Sequence, residues 1–238
     1  MIGTWLNAAT VLLGGGLGLA FGSKLPERVR QTVLLGLGLF TALIGVRLFL
    51  QTENPLFPLA AILLGGLAGE WWRIEDRLRG MGAWLEARVA GNRQGPDGGS
   101  RFVQGFLTAS LVFCVGPMTI LGSIQDGLTG DYHLLAIKAA LDGFAALAFA
   151  STLGVGVLFS VLVVIVYQGG ISLLAMHAQT VLSQPMVGEM TAVGGVILLG
   201  IASSSLLEIR PIRTANFLPA LFFAPALVWL VAKIGLGG

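Results

Sequence analysis

The sequence predicts an all-α integral membrane protein, a polytopic bundle of about eight transmembrane helices. Three observations carry that expectation. The 238 residues are 55% hydrophobic and only 11% charged, less than half the ~25% of charged residues that soluble domains carry. Their mean hydropathy is +0.86. Long stretches lack Asp, Glu, Lys and Arg altogether, as crossing segments must when a charge at mid-bilayer costs about 2.5–3.5 kcal/mol.

Those stretches run Met1–Ser23, Gln31–Val46, Asn54–Gly69, Phe102–Gln125, Gly143–Gly188, Met190–Leu207 and Thr214–Ala232. About 20 residues span a bilayer as a helix, so most stretches hold one crossing. Gly143–Gly188 is too long for one. Joined to Asp131–Asp142, it divides into His133–Thr152 and Val155–His177, hinged near Gly154 and Gly156. The first stretch has no basic residues before its apolar run, while Lys24, Arg28 and Arg30 follow it. It therefore reads as a retained helix and not as a signal peptide.

Basic residues gather in three loops. Lys24, Arg28 and Arg30 follow the first crossing; Arg73, Arg77, Arg79, Arg88, Arg93 and Arg101 separate the third from the fourth; Arg210 and Arg213 separate the seventh from the eighth. Each loop follows an odd-numbered crossing, so all three share one side, the cytoplasm by the positive-inside rule, and the even total of eight puts both termini outside. The net charge of +2 offers no basic stripe for nucleic acid. The single cysteine, Cys114, excludes a disulfide framework within the chain and any multi-cysteine metal site. No cofactor and no metal site are expected, since His133 and His177 fall at helix ends without clustered ligands.

The chain is expected to form one transmembrane domain over residues 1–238, with residues 71–101 as a cytoplasmic amphipathic helix and linker inside it. Ile74, Leu78, Met81, Leu85 and Val89 recur at helical spacing, and Trp71, Trp72 and Trp84 suit the headgroup zone. The apolar face is expected on the inner leaflet, with partner docking as the alternative. Val11-Leu-Leu-Gly-Gly, Ile62-Leu-Leu-Gly-Gly and Ile197-Leu-Leu-Gly-Ile resemble one another, and Gly105–Phe113 resembles Asn216–Ala224. That likeness suggests hairpin repeats, although Gly/Leu/Ala-rich helices also converge by chance. Gly14, Gly18 and Gly22 line one face of the first helix. Small residues so spaced admit a close neighbour, either within the chain or across a homo-oligomer seam. Gly65 and Gly69 repeat the spacing.

Chemistry concentrates in the middle of the chain. Gly116 and Pro117 should break the fourth crossing, because proline removes a backbone donor and clashes with the preceding turn. Irregular backbone at that depth is tolerated when it is buried in protein or faces water. Thr119, Ser123, Gln125 and Asp126 follow the break and are expected to line the opening. Lys138 and Asp142 stand one turn apart on the fifth crossing, with Asp142 near mid-bilayer. They form either a self-neutralising structural pair or a charge-lined site for a small solute or ion, shared with Gln125 and Asp126.

The start Met1-Ile-Gly-Thr-Trp-Leu-Asn-Ala-Ala-Thr-Val, the segment Gly116-Pro-Met-Thr-Ile-Leu-Gly-Ser-Ile-Gln-Asp-Gly-Leu and Ile137-Lys-Ala-Ala-Leu-Asp-Gly-Phe resemble the YqgA-type family of bacterial multi-pass inner-membrane proteins of unknown function. The resemblance covers nearly the whole chain. It implies the bacterial cytoplasmic membrane as location and the lipid bilayer as the first partner, and it transfers no activity. Three functions follow as expectations: a small-solute or ion transporter or channel first, and a non-transporting scaffold, sensor or accessory subunit second. An intramembrane enzyme comes last and is not expected, because Gly127-Leu-Thr-Gly-Asp131 lacks the glycine-any-glycine-aspartate motif and no serine–histidine arrangement is present.

Overall fold

The computed structural model describes residues 1–22, 26–90, 98–114, 117–175 and 182–234. Lys24, Arg93, Gly116 and His177 lie outside the described residues. The described residues form α-helices and no strand: α1 (Ile2–Gly22), α2 (Glu27–Phe49), α3 (Leu56–Trp72), α4 (Ile74–Ala90), α5 (Gly98–Cys114), α6 (Pro117–Thr129), α7 (His133–Leu153), α8 (Gly156–Leu173), α9 (Gln184–Ile201) and α10 (Ala220–Ile234). A π-helical turn, Ala202–Leu206, extends α9, and a short 3-10 helix, Thr214–Phe217, precedes α10.

Six helical segments are long and apolar enough to cross a membrane. The fourth predicted crossing is split into α5 and α6, whose axes differ by 63°. The third, α3, has 17 residues and reaches about 25 Å at 1.5 Å per residue. Each of the eight crossings read from the sequence falls on helix among the described residues, and an all-α polytopic membrane fold results.

Local chemistry sets the joints. Pro117 takes the first position of α6, where its missing N–H costs nothing. Gly154, at φ 85°, separates α7 from α8, a backbone conformation that only glycine adopts freely. Arg73, at φ 50°, ends α3 and turns the chain into α4. Asn54 Oδ1 accepts the Leu56 N–H at 3.1 Å and opens α3.

The helices pack in two groups. One comprises α1, α5, α6, α7 and α8; the other comprises α2, α3, α9 and α10. The innermost is α9: 72% of its apolar window is buried, against 17% for α2 and 22% for the α10 segment. Leu39, Phe40 and Leu43 of α2, Leu63 and Leu67 of α3, Phe144 of α7 and Val166 of α8 are exposed. Such a large apolar exterior is stable only in hydrocarbon.

Glycines decide which helices touch. A Cβ on Gly14, Gly18 or Gly22 would overlap the carbonyl oxygens of Gly143, Leu147 and Ser151 in turn. The constant offset makes α1 and α7 parallel neighbours with backbones in contact, so the stripe serves packing within the chain. Gly65 and Gly69 meet Ala220 and Asn216 in reversed order, so α3 and α10 are antiparallel. Gly38 meets Leu207 and Gly45 meets Leu199, which makes α2 and α9 antiparallel too. All three directions are those that eight alternating crossings require. The look-alike segments of α1 and α3 therefore share a sequence pattern while packing against neighbours of opposite direction.

The amphipathic segment differs from its expectation. Leu78 and Leu85 pack with Phe102, Phe106 and Leu107 of α5, and Gly82 lies against Phe106. The buried face is the one shared by Glu75, Leu78, Gly82 and Leu85, while Met81 and Trp84 remain exposed beside Trp71 and Trp72. A protein neighbour has taken the face expected on lipid. The exposed tryptophans, with Arg88 stacked 5.1 Å over Trp84, keep the chemistry of a headgroup anchor.

Candidate functional site

Lys138 and Asp142 lie four residues apart on α7, on the face turned toward α1 and α8. Their relative exposures are 6% and 8%, and they form a buried ion pair. The glycine stripe brings α1 close enough for Asn7 to join them. Asn7 Nδ2 donates to Asp142 Oδ2 at 2.9 Å and to Gln168 Oε1 of α8 at 3.0 Å. Gln168 Nε2 donates in turn to Thr4 Oγ1 at 3.4 Å. One carboxylate, one ammonium and two amides therefore tie three helices together. Amide dipoles and the counter-charge offset the desolvation of each ion, which is several kcal/mol even after relaxation.

The other sequence-predicted residues divide by helical phase. Thr119, Ser123 and Asp126 follow at i, i+4 and i+7 along α6, so they share a face, and all three are buried. Thr119 Oγ1 donates to the Phe113 carbonyl at 3.2 Å, satisfying an acceptor beside the break. Asp126 accepts the Gly3 N–H at 3.2 Å and the amino group of Met1 at 3.0 Å. It caps the start of α1, where unpaired N–H groups and the helix dipole favour negative charge. Gln125 does not belong with them. It is exposed and donates to Asp131 at 3.3 Å, because its position falls about 100° around the helix from Asp126. Asp126 and Asp142 make their contacts with α1 one helical turn apart, at Gly3 and Asn7.

Three buried oxygens around this cluster have no hydrogen-bond partner: Asn7 Oδ1, Ser123 Oγ and Ser172 Oγ. Each such atom costs about 1–3 kcal/mol, so the site keeps unused hydrogen-bonding capacity. Of the helix-break pair, Pro117 starts α6. Among the described residues, no three His, Cys, Asp or Glu side chains gather as a metal site would need. His133 is exposed and bonds Asp131.

Other buried polar groups went unnoticed in the sequence. Glu189 of α9 accepts from Thr52 Oγ1 at 2.6 Å and from the Glu53 N–H at 3.2 Å, clasping the α2–α3 turn. Glu75 accepts from Ala215 N at 2.9 Å and from Arg79 Nε at 3.0 Å, and its own N–H donates to Asn216 Oδ1 at 2.8 Å. For Gln168 and Glu189 the missed signal is the same. Gln168 is the one amide side chain in α8, and Glu189 is the one acid in α9; a lone polar side chain in an apolar helix needs a partner.

Residues 2–229 match a family model described as a protein of unknown function, DUF554. The chain is 32% identical over 224 residues to the uncharacterized protein YqgA of Escherichia coli (strain K12), covering 94% of each chain. It is 27% identical over 240 residues to the uncharacterized membrane protein YdfK of Bacillus subtilis (strain 168), covering 99% of each chain. No solved structure matches. A family match over nearly the whole length, joined to an all-helical membrane fold, leads to one identification: the chain belongs to the DUF554 family.

Proposed function

We propose that this protein is a small-solute or ion transporter of the bacterial inner membrane, with both termini outside, whose working site is the Lys138–Asp142 pair. One observation carries the proposal: opposite charges are buried beside a crossing bent by 63° between α5 and α6. Lys138 occupies the place of a cation at Asp142. An entering cation, or a proton on the carboxylate, would neutralise Asp142 and release the ammonium. Asn7 and Gln168 would report that change to α1 and α8, because the same Nδ2 group holds both Asp142 and Gln168. The bent α5–α6 crossing supplies an element able to rearrange in response.

A second reading, a non-transporting scaffold, sensor or accessory subunit, draws on the closure of the network. Lys138, Asp142 and Gln168 each already hold a partner inside the bundle. Flux in proteoliposomes separates the two. With ion gradients and a pH dye, transport predicts flux that Asp142→Asn abolishes or shifts in pH dependence while the protein stays folded. Unchanged flux removes Asp142 from the mechanism. Recovery of a stoichiometric partner protein from membranes, without flux, would favour the scaffold.

A further inference from the structure

We propose that the end of the bundle bearing the basic loops holds a separate binding site for a small solute carrying an ammonium group. A cavity of about 560 Å³ opens there between α4, α5, the π-helical turn and the segment leading to α10. A ligand pocket typically spans ~300–1,000 Å³, and a water takes up ~30 Å³, so the space suits a molecule better than a bare ion. No residue of the Lys138–Asp142 cluster lines it. The site stands whether or not that pair moves a solute.

Two independent features point to a ligand. Thr108 lines the cavity, is 1% exposed, and its hydroxyl has no hydrogen-bond partner. The backbone opposite is irregular. The π-helical turn brings Ser204 into the wall, and Glu208 follows at φ 53°. A π-helical turn is frequent at functional sites, and a side-chain-bearing residue keeps a left-handed backbone only where its surroundings fix it.

Charge selects the class of ligand. Glu75, Asp76, Glu208, Arg79 and Arg213 all line the cavity. Both guanidiniums are already engaged, Arg79 by Glu75 and Arg213 by Glu70. The lining is therefore net acidic and rich in oxygen acceptors, with the Thr108 hydroxyl as an additional acceptor or donor. A ligand rich in N–H donors and bearing one positive charge complements it. Free amines and the headgroup of phosphatidylethanolamine share that chemistry.

The test uses the full chain in nanodiscs of phosphatidylglycerol, with the thermal midpoint read against ethanolamine or ethylammonium chloride; ethanol and potassium chloride serve as controls. Saturable stabilisation by the amines alone is expected. Thr108→Val and Glu208→Gln should each weaken it about tenfold, as loss of one hydrogen bond to a charged group does. Ser110→Ala is the control. It removes another buried hydroxyl of α5 without a partner, away from the cavity, and should leave amine affinity unchanged. If free amines act only in discs lacking phosphatidylethanolamine, the headgroup competes for the site. If they never act, yet phosphatidylethanolamine stabilises the wild type and not Thr108→Val, the headgroup is the ligand. Equal stabilisation by potassium, amine binding indifferent to both site variants, or no effect of either amine source overturns the proposal.

Discussion

Breaking the Lys138–Asp142 pair from either side should be far more damaging than removing both charges together. Lys138→Met leaves a carboxylate at 8% exposure that still accepts from Asn7 but has lost its counter-ion. Asp142→Asn leaves an ammonium at 6% exposure without its counter-ion. Loss of one partner from a buried pair costs about 3–5 kcal/mol. In the double variant no charge is stranded, and the new amide can still accept from Asn7. Its cost should fall to about 1–2 kcal/mol, near that of one weakened hydrogen bond. The coupling energy is then at least about 4 kcal/mol, beyond the ~0.5–3 kcal/mol usual for contacting residues. Equilibrium unfolding of the four proteins in mixed micelles, titrated with a denaturing detergent, measures it. A coupling below about 0.5 kcal/mol would place the pair among solvent-exposed ion pairs and refute the reasoning that it is desolvated.

Three further outcomes are expected. Gly18→Val should destabilise by about 1–3 kcal/mol in the same detergent-unfolding titration through overpacking, because its Cβ would overlap the Leu147 carbonyl; Gly16→Val, with nothing within 4 Å of its Cβ, should be close to neutral. Glu189→Gln should cost about 1.5–3 kcal/mol, the worth of hydrogen bonds to a charged acceptor, and limited proteolysis should show earlier cleavage at the α2–α3 turn that Glu189 clasps. The Asp131 carboxyl is held below its usual value of 3.8, first by the backbone N–H of His133 and then by its ring. A lowered folded-state pKa means stability present above the unfolded value and lost as pH falls through the folded one. The thermal midpoint gap between wild type and Asp131→Asn should be widest near neutrality and close below pH 3.8; a gap that widens in acid would contradict the assignment.

Much of this protein was legible in one dimension, because exclusion of charge from hydrocarbon and the clash of proline with a preceding turn are local effects. The seven apolar stretches, the joint at Gly154, the interruption before Pro117, the Gly14–Gly18–Gly22 face and the pairing of Lys138 with Asp142 at one-turn spacing all follow from neighbours in sequence. Helical phase alone would also have separated Gln125 from Thr119, Ser123 and Asp126. Contacts between remote helices were not legible. That Asn7 and Gln168, 161 positions apart, meet at Asp142 depends on how each helix is rotated about its own axis and which neighbour it touches. Composition fixes neither, since lipid and a partner helix are equally apolar to a leucine. The same indifference let α5 take the face of α4 expected on the bilayer. Backbone contact between α1 and α7 resolved the choice for the buried charges: only where glycines let two helices touch can a side chain as short as Asn7 reach across to a carboxylate.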